Sequence, residues 1–471
     1  MKIQFGFPGE HPGYHPYEAL QIFNDADCFP ELVPEQDAMW LRALDDNGRL
    51  ISEQFIPTFH DHKVLKQFIY DAMVQLTGYQ SPWGCMTGIR PAKIINQQLA
   101  LGNSPEEAKR YLMDFYRVAE DKANFAMETA LVQHDFLEEQ KHNPKKIGIY
   151  IGIPFCPTRC LYCSFPSNSI GKYKKVVDSY LDLLTEEMEE TKLLADHMGL
   201  EVESVYLGGG TPTSLSDSQF ARYMDDVTRI FVKDNPHIRE YALEAGRPDS
   251  ITRSKLQTAK SAGVTRISVN PQTMQDETLQ LIGRHHTGAQ IIEAFHLARF
   301  TGFDNINMDI IAGLPGEDLT HFTRTLEAIR ALRPDGITVH TLSVKRAADL
   351  KRDARRAMLE SKRTCDMVRL ARETCKEMGM HPFYMYRQKN MLGNHENAAY
   401  CLPGKESPYN IHIMEEDQTI LAIGAGGVSK RVEGNRIERA FNVKSVEEYM
   451  ARSREMMARK WALMQAQGGE A

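Results

Sequence analysis

Three cysteines crowd into eight residues of a 471-residue chain that has eight cysteines in all. Cys156, Cys160 and Cys163 follow the spacing C-x3-C-x2-C within YIGIPFCPTRCLYCSF. Thiolates at this spacing on one short loop can wrap three irons of a cubane cluster, leaving the fourth iron without a protein ligand. Zinc and disulfide chemistry use the same residues. A structural zinc site takes four ligands, usually from paired knuckles, and no Cys or His lies between 164 and 196 to act as a local fourth. A disulfide would leave an odd thiol, and eight cysteines in so long a chain do not make a disulfide scaffold. A metal site in a reducing compartment is the expectation. Cys28, Cys85, Cys365, Cys375 and Cys401 show no ligand spacing and are expected to be buried, inert thiols.

Further along, the run 208–213 reads GGGTPT, whose glycines, Gly209 and Gly210 among them, let the backbone approach a ligand just before Thr211. A plain tight turn gives the same letters. Glu244, Gln272 and Asp309 fall in or just after apolar runs, where an unpaired charge is costly. Each reads equally well as a ligand contact or as half of an internal salt bridge. Arg284 precedes His285 and His286; adjacent histidines in a loop point apart, so packing rather than metal ligation is expected of them.

These residues need elements to position them. From 147 to 345, apolar runs suited to buried strands (147–153, 204–207, 241–245, 266–269, 306–311 and 336–342) alternate with amphipathic stretches. Six such repeats predict an α/β fold with a parallel sheet, open or curled into a partial barrel. Chemistry in such sheets gathers at the carboxyl ends of the strands. The cysteine loop follows the first run, GGGTPT the second, Glu244 closes the third, Gln272 follows the fourth, and Asp309 lies in the fifth. Residues 1–140 read as an N-terminal α+β accessory domain, with a hairpin at Asn47-Gly48 and helices near 63–77 and 104–140. SPWGCMTGIRPAK between those helices reads as a loop, and 140–146 as a linker. Residues 346–471 form a C-terminal helical and strand extension: a long helix at 347–379, strands at 381–387 and 418–423, a glycine turn at 424–427, and a helix at 445–465.

The cysteine loop, with aromatic Tyr162 before Cys163 and Tyr150 leading in, resembles the radical S-adenosylmethionine (SAM) superfamily signature. The ordered motifs GGGTPT, LEAGRPD, RISVNPQ and NMDIIAGLPGE are similar to those of the oxygen-independent coproporphyrinogen III oxidase family. FYMYRQKNMLGNHEN, PGKESPYNI, TILAIGAGGVSK and the TGIRPAK loop extend the likeness across nearly the whole chain, toward the HemZ-type coproporphyrinogen dehydrogenases. The resemblance implies a partial (β/α)6 radical SAM barrel. It makes Cys156, Cys160 and Cys163 ligands of a [4Fe–4S] cluster whose open iron binds SAM. It also makes Tyr150, Tyr162, Gly209, Gly210, Thr211, Glu244, Gln272, Arg284 and Asp309 contacts of SAM. The implied reaction is reductive cleavage of SAM to a 5′-deoxyadenosyl radical, followed by oxidative decarboxylation of two propionates of coproporphyrinogen III to give protoporphyrinogen IX in haem biosynthesis. No protein side chain is assigned a catalytic role of its own. An electron donor for the cluster and an electron acceptor are implied partners. Phe165 stands where the oxidases carry a further cysteine and the family's haem chaperones do not. A haem-binding chaperone, or a radical SAM enzyme acting on another tetrapyrrole, are the alternatives.

A substrate with four carboxylates calls for cations; Lys345, Arg346, Arg387 and Lys389 are the candidates. The net charge of −7 argues against a nucleic-acid partner. No apolar run reaches spanning length, and the N-terminus lacks a basic segment followed by an apolar one, so a cytoplasmic location is expected.

Overall fold

The apolar runs become strands because both of their faces are buried. In the computed structural model, Ile147, Ile149, Ile151 and Ile153 alternate with Gly148, Tyr150 and Gly152, and all four isoleucines are fully shielded. The structure describes every residue except 1, 9–16, 21, 24–29, 36–38, 57–60, 88–89, 164–167, 343–353, 388–394, 435 and 467–471. For 7–8, 17–18, 32, 34–35 and 354–361 it describes the backbone only. No helix among the described residues is long and apolar enough to cross a membrane.

Two compact units form. The first gathers Met1–Leu131, Thr341–Leu370 and Met385–Asn397; the second gathers Val132–His340, Ala371–Tyr384 and Ala398–Ala471. These units cut across the three consecutive segments expected from the sequence.

In the first unit, β1 (Lys2–Pro8), β2 (Glu31–Glu35), β3 (Met39–Leu44) and β4 (Leu50–Ile56) make a sheet of order β2-β1-β3-β4. The β3–β4 hairpin turns at Asn47-Gly48 as expected, with Gly48 at φ 79° and Asp45 Oδ1 accepting from the Asn47 and Arg49 amides. Helix His62–Thr77 packs Leu65, Ile69 and Met73 into a core with Phe5 and Leu41. The segment 104–140 is two helices rather than one: Pro105–Tyr116, opened by the Ser104/Glu107 capping box, and Glu120–His142. The break has a tertiary cause. Arg117 turns left-handed at φ 59° and its guanidinium clasps Asp71 at 2.9 and 3.1 Å. Meanwhile Tyr116 O accepts from the Cys85 amide, beside Gly84, where a Cβ would lie 2.0 Å from that carbonyl. The proposed loop at 81–93 ends where helix Pro91–Ala100 begins.

The second unit holds the barrel strands β5 (Lys146–Ile153), β8 (Glu201–Gly209), β9 (Glu240–Gly246), β10 (Arg266–Val269), β11 (Ile306–Ala312) and β12 (Gly336–Thr341). Two short strands, β6 (Phe155–Cys156) and β7 (Asn168–Ser169), flank the cysteine loop. β5, β8, β9, β10 and β11 pair in parallel in that order. The sheet does not stop at six strands. β13 (His381–Tyr386) and β14 (Asn397–Cys401) continue it beyond β12, with β14 antiparallel to β12. On the other edge β15 (Thr419–Ile423) pairs in parallel with β5, and β16 (Val428–Glu433) and β17 (Arg436–Phe441) follow antiparallel. The C-terminal strands therefore complete the barrel sheet instead of folding apart from it.

Helices clamp this extension in place. Glu187, buried on helix Val177–His197, accepts from Gly424 N (2.8 Å), Asn442 Nδ2 (2.9 Å), Lys460 Nζ (3.0 Å) and Tyr449 OH (2.5 Å). Lys460 lies on the last helix, Ser453–Gln465. Burial opposes ionisation of Glu187, but Lys460 and these donors hold its carboxyl below the usual range.

Candidate functional site

The carboxyl ends of the barrel strands converge on the residues singled out in the sequence. β5 runs through Pro154 into the cysteine loop, which is seated on the glycine turn after β8. Gly210 N donates to Ile153 O and Thr211 N to Phe155 O, each at 2.7 Å. Only glycine fits at 210, since a Cβ there would lie 2.5 Å from Phe155 O; Gly209 beside it takes φ 104°. Thr211 Oγ1 reaches Cys156 Sγ at 3.5 Å. Burial pushes the Cys156 thiol up to about 11, and the Thr211 hydroxyl opposes that rise.

The far side of the loop is tied down too. Leu161 N donates to Ile282 O (3.0 Å), Thr158 Oγ1 donates to Gly283 O (3.0 Å), and Arg247 Nη1 donates to Thr158 O (3.1 Å). Arg284 is buried against Tyr162 and Cys160, whose electrostatic attraction outweighs the penalty of burying its charge. Its Nη1 donates to Asn270 O at 2.5 Å. His286 is buried beside Asp249 (3.8 Å) and Arg284, while His285 is exposed. Burial and Arg284 lower His286 to about 4, so it is neutral at pH 7. The two histidines point apart, as adjacent loop residues should.

Inside the barrel, Tyr206 OH donates to Glu244 Oε1 at 2.7 Å. Gly208 leaves room for the other oxygen, because a Cβ there would stand 2.9 Å from Glu244 Oε2. Burial raises Glu244 to about 7, with the charge of Asp309 adding to the rise. Asp309 goes the other way: burial opposes its charge, but His340 (3.8 Å) and Asn307 Nδ2 (2.7 Å) hold it below the usual range. Two neighbouring carboxyls thus differ in acidity. Gln272 takes φ 67°, unusual for a side-chain-bearing residue, while exchanging backbone hydrogen bonds with β11 at Asp309 O and Ile311 N. Tyr150 sits in register with Tyr206, and Tyr409 stacks on Tyr206 at 4.5 Å.

Sequence reasoning missed Tyr206, Arg247, His340 and Tyr409. Tyr206 could have been found from the strand period that puts Tyr150 on the inner face; the others depend on pairing that no local pattern reveals. Of the proposed propionate cations, Lys345, Arg346 and Lys389 lie outside the described residues, as do Phe165 and Cys28. Arg387 is buried in the first unit, its Nη1 donating to Met86 O at 2.6 Å and its guanidinium 5.6 Å from the Trp83 ring centroid.

The residues present suit an iron–sulfur cluster and a bound small molecule. Three thiols share one loop, and the backbone behind it admits no Cβ at 210. Two polar atoms shut off from solvent beside it, Asn270 Oδ1 and Arg284 Nε, have no hydrogen-bond partner among the described residues. The sequence pattern of the Radical SAM superfamily matches residues 150–329. The oxygen-independent coproporphyrinogen-III oxidase-like protein HemZ of Bacillus subtilis is 40% identical over 398 residues, 82% of this chain and 79% of its own. The chain belongs to the radical SAM superfamily and, within it, to the HemZ family.

Its cofactors are accordingly a [4Fe–4S] cluster and SAM. The heme chaperone HemW of B. subtilis is 31% identical over 280 residues, covering 59% of this chain and 69% of its own. Coproporphyrinogen III oxidase (HemN) from Escherichia coli shares the fold, with a TM-score of 0.53 at 22% identity over 69% of this chain and 73% of that one. The α/β radical SAM architecture expected from the motifs is the one found.

Proposed function

We propose that this radical SAM protein catalyses oxygen-independent oxidative decarboxylation of coproporphyrinogen III to protoporphyrinogen IX. The likeness to HemZ over four-fifths of the chain carries this reading, because it runs beyond the barrel into both flanking regions. Cys156, Cys160 and Cys163 hold the cluster. Tyr150, Tyr162, Gly209, Gly210, Thr211, Glu244, Gln272, Arg284 and Asp309 surround SAM. When bound, the two cofactors supply one-electron cleavage of a carbon–sulfur bond and the removal of a hydrogen atom from substrate.

The protein's own residues bind, orient and shield. Thr211 donates toward Cys156 and favours its thiolate. Glu244, near half-ionised at neutral pH, can accept from or donate to paired hydroxyls such as those of a ribose. Asp309, kept ionised by His340 and Asn307, accepts only. Arg284 fills the wall behind Tyr162 and Cys160 with fixed positive charge. The Tyr150, Tyr206 and Tyr409 rings stack on one another and give the inside of the barrel an aromatic face.

Anaerobic reconstitution followed by SAM, a reductant, an electron acceptor and coproporphyrinogen III tests the proposal. Protoporphyrinogen should form together with methionine and 5′-deoxyadenosine. Deoxyadenosine without any change in the porphyrin would sink the decarboxylase reading. The 31% identity to HemW supports a second reading, a haem chaperone. Stoichiometric haem binding without turnover of the porphyrinogen would favour it.

A further inference from the structure

Cys401 was expected to be a buried, inert thiol; it is buried, and it has a histidine and a carboxylate beside it. It is the last residue of β14 and pairs with Gly336, the first residue of β12. It therefore lies at the amino end of the barrel strands, opposite to the cysteine loop. There Cys401 Sγ stands 3.8 Å from His381 Nε2, which in turn stands 2.8 Å from Glu406 Oε1. These three ligand atoms all lie within 4.8 Å of one another; among the described residues no other His, Cys and carboxylate set converges so closely.

The arrangement is not a nucleophile relay. A relay places the thiol on one imidazole nitrogen and the acid on the other. Here thiol and carboxylate both face Nε2, so three donors point at one spot. Zinc bonds of ordinary length to nitrogen and sulfur in a tetrahedral shell set neighbouring donors about 3.3–3.6 Å apart. The observed 2.8 and 3.8 Å bracket that spacing, so small side-chain shifts would admit an ion.

The backbone has fixed each donor in advance. Cys401 is locked by the β12 pairing, and His381 opens β13. Glu406 is folded back by a turn in which Gly404 takes φ 79° and donates to Glu406 Oε1 at 3.1 Å. Leu402 N donates to Asp335 O, and Arg266 Nη1 to Lys405 O, each at 2.9 Å. Arg266, the cation facing Cys401, is also engaged by Asn305 Oδ1. Nitrogen, sulfur and oxygen donors together suit a borderline ion such as zinc.

We propose that His381, Cys401 and Glu406 bind one divalent cation of the zinc class, with water in the remaining position. Binding releases the Cys401 thiol proton, so a dication meets one thiolate, one carboxylate and one neutral imidazole. The site is then electrically neutral, which suits its partial burial. It cross-links the start of β13, the end of β14 and the turn behind it, and takes no part in radical chemistry.

The test uses the full-length, tag-free chain with Cys156, Cys160 and Cys163 all changed to serine, so that no iron–sulfur cluster contributes. Loaded with Zn²⁺ alone and desalted, it should retain about one zinc per chain by elemental analysis. Cys401→Ala, His381→Ala and Glu406→Gln should each weaken zinc binding by at least about tenfold. Loaded with Co²⁺, the chain should show a thiolate-to-cobalt charge-transfer band that Cys401→Ala removes. Zinc-edge X-ray absorption on the unsubstituted site needs no variant that must fold, and should report one sulfur neighbour among nitrogen and oxygen ones. No zinc above the desalting blank, full stoichiometry in Cys401→Ala, or a sulfur-free shell would each overturn the proposal.

Discussion

Glu244 shows how a single residue can be legible in a sequence while its behaviour is not. A carboxylate at the end of a buried strand marked it as a candidate; only the fold shows Tyr206 bonded to it and Asp309 nearby. With its carboxyl raised to about 7, the native state holds this proton more tightly than the unfolded chain does. Stability present at pH 5 should therefore decline as pH rises toward 7 and level off beyond. Thermal melts of the cofactor-free protein should show that decline, and Glu244→Gln should flatten it; an unchanged slope would reject the assignment. Gly210 gives a second residue-scale prediction. Gly210→Ala places a methyl against Phe155 O and unseats the cysteine loop, so iron content after reconstitution should fall severalfold with far-UV circular dichroism unchanged. Gly171→Ala, whose Cβ meets among the described residues only Ser169 Oγ at 3.7 Å, should keep its iron. The three cysteines and the glycine turn were readable because their chemistry depends on local spacing. Arg247 and His340 were not, because strand register and loop return bring them to the site; Tyr206 was within reach of the strand period and was overlooked.

At the scale of elements, the Glu187 cluster decides whether the C-terminal strands stay on the sheet. Lys460→Met leaves a buried carboxylate without its cation, which costs about 3–5 kcal/mol. Denaturant unfolding should show this loss, and adding Glu187→Gln should restore part of it, as expected for two groups acting as one. Wild-type stability in the single variant would mean that Lys460 is not what ionises Glu187. The six barrel strands and the long C-terminal helix were predictable from periodicity. β14, β16 and β17 were missed: β14 is a five-residue run, NAAYC, and β16 and β17 carry charged residues on their exposed faces. The helix break at Arg117 was invisible for a different reason. No glycine or proline marks it, and contacts with Asp71 and Cys85, distant in sequence, impose it.

For the whole molecule, the two units share one chain that passes back and forth. Within the first unit, Lys122 Nζ and Trp83 Nε1 both bond Glu396, at 2.6 and 2.8 Å, across some 270 and 310 residues. Burial opposes the Glu396 charge, but Lys122 holds its carboxyl down to about 2. Deleting residues 1–131 removes both partners and strands that charge, so the shortened chain should aggregate rather than yield a free barrel. Size-exclusion chromatography checks this, and a soluble monomer binding normal iron would refute it. The pairing of β15 with β5 carries a further consequence, for how the protein is made. Strand β5, which launches the cysteine loop, gains its outer neighbour only when residues 419–423 have been synthesised. A contact that spans so much sequence closes slowly and late. On the ribosome the thiols at 156, 160 and 163 emerge long before the sheet edge beneath them is covered. A nascent chain that meets oxidant before that edge closes exposes three closely spaced thiols.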